Sequence, residues 1–138
     1  MAFVHQNFWL IMIVLTSGIM LAFPNLFSGM AGIAAVDISQ AVQMINHDDA
    51  LVLDVREHNE FNAGHIAGSR HIPLGQLKDN LHLLEKFKEQ PIVVNCRSGN
   101  RSAAACGMLK KAGFSRVYNL SGGIVAWQRQ QMPTTTKS

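Results

Sequence analysis

Hydrophobic and polar positions divide the chain near residue 37. Phe8 to Phe23 is apolar throughout except for Thr16, Ser17 and Gly18. Those three are adjacent, so they cannot form the continuous polar face that a surface helix needs. Read on through Pro24 and Asn25 to Phe27, the run is 20 residues long, and a bilayer crossing takes ~20. Phe8 and Trp9 suit one membrane interface, and Pro24 falls where a break is tolerated. The pattern predicts one transmembrane helix over residues 8–27 within an N-terminal anchor, 1–27. A cleaved signal peptide would need a basic n-region, which Met1 to Asn7 lacks.

Beyond the small, uncharged stretch 28–36, expected to be a short linker, the pattern changes. Ile38 to Ile45 has apolar residues at helical spacing, with Asp37 or Ser39 as N-cap. Asn46 to Asp49 is a turn, and Ala50 to Val55 is an apolar run fit for a strand buried on both faces. Leu74 to Gln90 is helical in pattern, with Leu77, Leu81, Leu84 and Phe87 on one side. Pro91 to Asn95 is a second buried strand, Ala103 to Lys111 a helix stopped at Gly113, Arg116 to Leu120 a last strand, and Ser121 onward a final helix. Alternating strands and helices predict a small α/β domain over 37–132, its mainly parallel central sheet flanked by helices. A polar tail, 133–138, is expected to be flexible.

Charge sharpens the division. No Asp, Glu, Lys or Arg precedes Asp37, and all 12 Lys and Arg residues lie from Arg56 onward. The net charge of +3 is modest and its bases are scattered, which gives no footing for nucleic-acid binding. Neither flank of the apolar run carries bases to orient it. The two cysteines, Cys96 and Cys106, form neither a disulfide framework nor a Cys-x-x-Cys pair. No metal or cofactor is expected. A reactive thiol suits a reducing compartment, so the membrane-anchored domain is expected on the cytoplasmic side.

The chemistry concentrates in Cys96-Arg97-Ser98-Gly99-Asn100-Arg101-Ser102, a tight loop between the second buried strand and a helix. Such a loop points backbone N–H groups inward and adds the positive end of a helix dipole. That field favours a thiolate at Cys96, the nucleophilic form. Arg97 and Arg101 add fixed charge for an anion. The seven residues resemble the active-site loop of rhodanese-like sulfurtransferases, roughly Cys-x-x-Gly-x-Arg-Ser/Ala. Phosphatases and arsenate reductases of similar fold carry Cys-x5-Arg; here Cys96 to Arg101 is Cys-x4-Arg, and Asn95 stands where their pattern usually has His.

A second stretch supports the same resemblance: Asp54-Val55-Arg56, Glu60-Phe61, Gly64-His65-Ile66-x-Gly68 and Ile72-Pro73, with Gly122-Gly123 and Trp127 further on. The resemblance implies that Cys96 takes a sulfane sulfur from a small anionic donor such as thiosulfate and passes it to a thiol or cyanide acceptor. Arg97, Ser98, Gly99, Asn100, Arg101 and Ser102 would bind the donor, with Arg101 the more structural of the arginines, tying the loop's end to its middle. The glycines at 122 and 123 would allow close approach to the loop. Asp54 and Arg56 are expected to fix a strand end by hydrogen bonds or an ion pair. His65 is expected to be structural rather than a general base, since geometry comes before pKa. Cys106 is expected to pack in the core rather than to resolve a Cys96 disulfide. Two rivals remain: a phosphatase or arsenate reductase, which needs a ring one residue longer and finds no obvious general acid here, and a tethered rhodanese-fold binding module without turnover.

Overall fold

A computed structural model of the chain describes residues 1–22 and 33–137. They fall into two compact units, one up to Gly32 and one from Ile33 onward.

In the first unit, helix α1 (Ala2–Gln6) gives way at Asn7, whose side-chain amide donates to the Phe3 carbonyl at 3.0 Å, to helix α2 (Phe8–Ala22). At 15 residues, α2 is about 22 Å long, against a hydrocarbon core of ~30 Å. Among the described residues, no helix is long and apolar enough to cross a membrane. This overturns the transmembrane helix expected over 8–27, and with it the membrane localisation and the cytoplasmic side assigned to the domain. The expectation rested on apolar composition counted through Pro24, whereas the described helix is 15 residues. The rest of the expected span, 23–27, lies outside the described residues.

The second unit is built on a sheet of strands β1 (Ala34–Val36), β2 (Leu51–Asp54), β3 (Arg70–His71), β4 (Ile92–Asn95) and β5 (Val117–Leu120). Among the described residues the order is β1-β5-β4-β2-β3, and every pairing is parallel. Helices α3 (Ile38–His47), α4 (His58–Ala63), α5 (Leu74–Leu77), α6 (Asn100–Lys111) and α7 (Gly123–Arg129) flank it. The expected parallel α/β domain is present.

The apolar runs become strands because both faces of the sheet are covered. Ile92 and Val94 of β4 pack with Leu53, Leu84, Cys106 and Leu109 on one face. Val93, pointing the other way, packs with Val52, Ile38, Leu120 and Trp127. Burying each such aliphatic side chain favours folding by roughly 1.5–3 kcal/mol. At the start of α3, Asp37 Oδ1 accepts from the Gln40 N–H at 2.7 Å while Gln40 Oε1 accepts from the Asp37 N–H at 3.0 Å, a reciprocal cap.

Several boundaries differ from the sequence reading. Ala34–Val36, expected within the linker, is the edge strand β1 and pairs with Tyr118 to Leu120. The tail expected to be flexible is docked: Thr135 exchanges backbone hydrogen bonds with His65, at 2.9 and 2.7 Å, and the Trp127 indole donates to the Pro133 carbonyl at 2.9 Å. The helix expected over 74–90 is only α5 plus a 3₁₀ stretch, Lys78–Phe87. Asn80 breaks it with φ −120°, and its side-chain amide takes the Gln76 carbonyl at 2.7 Å, the acceptor that a continuing α-helix would need.

Candidate active site

Cys96 follows β4 directly, at the carboxyl end of a central parallel strand, where open α/β sheets place their crevices. From there the chain turns back into α6, whose N-cap is Gly99. Gly99 sits at φ +112°, a conformation that L side chains rarely adopt. The turn brings the Gly99 N–H to 3.0 Å from Cys96 Sγ and the Ser102 hydroxyl to 3.3 Å from it. Cys96 is only 1% exposed. Burial alone would resist ionisation, but the hydrogen bonds that a thiolate can draw from Ser102 and from the N–H groups of Gly99 and Ser98 outweigh it, so the thiol's pKa lies below its ordinary value.

Helix α7 holds the loop from below. Its Ile124 and Val125 N–H groups donate to the carbonyls of Cys96 at 2.9 Å and Arg97 at 3.2 Å. The loop can lie so close because Gly123, at φ +55°, has no side chain. Asn119 of β5 completes the support: its Oδ1 accepts from Ser102 Oγ at 2.5 Å and its Nδ2 donates to the Gly99 carbonyl at 3.1 Å.

The two arginines differ. Arg101 makes a bidentate pair with Glu60 of α4, at 2.6 and 2.8 Å. The pair ties the loop to a neighbouring helix, whereas the sequence reading expected a tie from the loop's end to its own middle. Glu60 also accepts from the Glu57 N–H at 3.1 Å, capping α4. Arg97 is exposed and, among the described residues, has no ion pair. It borders a cleft of about 290 Å³, lined also by Arg56, Glu60, Ala63, Val125 and Gln128. Ser98 and Asn100 are exposed at the loop's rim, whereas Ser102 is buried beside the sulfur.

The Glu60 carboxyl is held down from 4.5 to about 2, first by the hydrogen bonds from Arg101; burial opposes this, and the Glu57 N–H and the charges of Arg101 and Arg56 assist. A carboxyl lowered on folding stabilises the fold above 4.5, and that stabilisation is lost as pH falls from 4.5 towards 2. Urea unfolding across this window should therefore show wild type losing stability more steeply than Glu60→Gln. Parallel curves would mean that the pair does not support the fold.

Behind the loop, Asp54 and Arg56 form the expected ion pair, with Nε and Nη2 of Arg56 donating at 3.0 and 2.8 Å. Arg56 reaches on to the Gly64 carbonyl at 2.8 Å, fixing the end of β2 against α4. His65 has both ring nitrogens engaged, 2.8 Å from the carbonyl oxygens of Phe61 and Lys137, a structural placement. Cys106 lies in the core, where burial pushes its thiol up to about 12. The sequence reading did not assign Glu60 or Asn119 to the site. The signal for Glu60 was its place in the Glu60-Phe61 pair of the resemblance; Asn119 had none.

The chain resembles known proteins in sequence and in fold. The sequence is 37% identical over 95 residues to the uncharacterised protein YibN of Escherichia coli strain K12, covering 68% of this chain and 66% of YibN. It is 37% identical over 97 residues to the thiosulfate sulfurtransferase GlpE of Ectopseudomonas mendocina, covering 70% of this chain and 86% of that one. Among solved structures, a rhodanese-related protein of Thermoplasma volcanium superposes with a TM-score of 0.68 at 32% identity, covering 75% of this chain and 99% of its own. The rhodanese-like domain family matches residues 37–130, which takes in the sheet from β2 to β5, the Cys96 loop and the helix beneath it. The chain belongs to the rhodanese-like family.

Proposed function

We propose that this chain is a sulfurtransferase that carries sulfane sulfur on Cys96. The observation that carries the reading is the convergence of the Gly99 N–H and the Ser102 hydroxyl on a buried Cys96 sulfur whose pKa lies below the ordinary thiol value. Relatives named thiosulfate sulfurtransferase, at 32 to 37% identity, support it.

In the first half-reaction, the Cys96 thiolate attacks the outer sulfur of thiosulfate. A bond forms from Sγ to that sulfur, the sulfur–sulfur bond of thiosulfate breaks, and sulfite leaves with its electron pair. The terminal sulfur of the persulfide inherits one negative charge, which donors of the loop would stabilise. In the second, cyanide or a thiol attacks the terminal sulfur, thiocyanate or a new persulfide departs, and the electron pair returns to Cys96 as thiolate. Arg97, the exposed cation beside the loop, attracts the anionic donor; Ser98 and Asn100 line its approach. Arg101, neutralised by Glu60, keeps the loop in shape.

The test is intact mass of the full chain before and after thiosulfate, with peptide mapping. The expected result is a gain of one sulfur atom on the peptide bearing Cys96, none on that bearing Cys106, and its removal by cyanide. No gain from thiosulfate or from an organic persulfide, with Cys96 free and reduced, would overturn the reading in favour of a binding module without turnover.

A further inference from the structure

We infer that Asn119 is a positioning residue that competes with Cys96 for the single hydroxyl proton of Ser102, and so sets how readily Cys96 ionises. The inference rests on the sulfurtransferase reading only for its consequence in turnover. Its geometry stands apart from that reading.

The orientation of the Asn119 amide is fixed by what it faces. The Gly99 carbonyl can only accept, so the nitrogen of the amide must lie against it, at 3.1 Å. That turns Oδ1 towards Ser102, and Oδ1 can only accept as well. Ser102 therefore donates to Asn119, at 2.5 Å, and has no second proton to give. The 3.3 Å contact between Ser102 Oγ and Cys96 Sγ is then one in which the thiol S–H donates and the hydroxyl oxygen accepts.

That arrangement suits the thiol and opposes the thiolate. When Cys96 gives its proton to water, Sγ becomes an acceptor facing an oxygen lone pair. The contact becomes favourable only if the Ser102 O–H swings from Asn119 Oδ1 to Sγ. Asn119 is half-buried, so the swing takes from Oδ1 its one protein donor among the described residues. Ser102 can thus support the thiolate only at the expense of Asn119. Once Sγ is bonded to a second sulfur it is a weaker acceptor, and the hydroxyl is free to return to Asn119. One rotor would change sides in each half of the cycle, with Asn119 as its resting partner.

Asn119 also anchors Gly99, whose N–H serves the same sulfur, so a single substitution mixes two effects. A double-mutant cycle separates them. The measurement is the pH titration of thiolate ultraviolet absorbance in the full chain, with Cys96→Ser subtracted as the blank. It is made for wild type, Asn119→Ala, Ser102→Ala and the double variant. Cys106 does not interfere, because its thiol is pushed up to about 12.

With Ser102 present, Asn119→Ala should raise the thiolate-to-thiol ratio by about three- to tenfold relative to its effect in the Ser102→Ala background, the worth of one hydrogen bond. In that background only the loosened Gly99 remains, and the ratio should fall or stay level. A second variant keeps the test open if Asn119→Ala folds poorly. Asn119→Asp still accepts from Ser102 and holds its proton more firmly, so it should lower the ratio more when Ser102 is present than when it is absent. Equal shifts in both Ser102 backgrounds would overturn the inference. That outcome would leave the mass test of persulfide formation untouched, as failure of the mass test would leave this one.

Discussion

Cys96→Ser should abolish thiosulfate-to-cyanide sulfur transfer, lowering kcat/KM by at least about 10³-fold, while leaving the fold intact. Serine is smaller, so it fits the same 1%-exposed site, and its oxygen can still accept from the Gly99 N–H. What it cannot do is ionise. The N–H groups around Sγ, with the Ser102 hydroxyl once it turns to the sulfur, bring an ordinary thiol below its usual pKa, but a serine hydroxyl starts far too high for the same donors to expose an alkoxide at neutral pH. Steady-state rates and a denaturation curve on the same variant check both halves. Cys106→Ala is the companion control: that thiol is buried, pushed up to about 12, and should be dispensable for turnover. Residual transfer in Cys96→Ser that disappears only with the second cysteine would move the chemistry to Cys106.

The largest structural effect should come from Gly123→Ala. A Cβ at this position would run into the Cys96 carbonyl oxygen and would lie 2.6 Å from that of Arg97. Both are backbone atoms, already held by the Ile124 and Val125 N–H groups, so neither can yield as a side chain would. The backbone is also at φ +55°, which adds strain for any L residue. Together these should cost about 3 kcal/mol of stability and displace the loop, so that persulfide formation falls with the denaturation midpoint. Gly107→Ala is the opposite case. It lies inside α6 with nothing within 4 Å of the new methyl, so helix propensity alone should act, adding about 0.5–1 kcal/mol. A Gly123→Ala variant as stable as wild type would mean that α7 does not buttress the loop.

The strands that matter to the site were readable because each is a short apolar run enclosed on both faces, as Ile92, Val93 and Val94 are. The loop was readable because its residues are consecutive. What escaped was short or distant. Ala34–Val36 is three small residues, too few to carry a period, and becomes a strand only by pairing with β5. The Glu60–Arg101 pair joins residues 41 apart, and Asn119 reaches Ser102 from another strand; no local pattern announces either. The apolar run near the start misled for the reverse reason. Its composition was conspicuous, but composition does not set a helix's length, and α2 as described is 15 residues.

The pairing of β1 with β5 bears on how the protein can be cut and made. The family match begins at residue 37, after β1 has ended. A fragment trimmed to that boundary would strip Ala34, Ala35 and Val36 from their partners Tyr118, Asn119 and Leu120. The newly bared edge would present unpaired N–H and C=O groups beside an apolar strand, a template for edge-to-edge aggregation. On the ribosome the same pairing imposes a wait. Ala34–Val36 emerges first, but its partner strand follows more than 80 residues later, so the border of the sheet must stay open until β5 has been made.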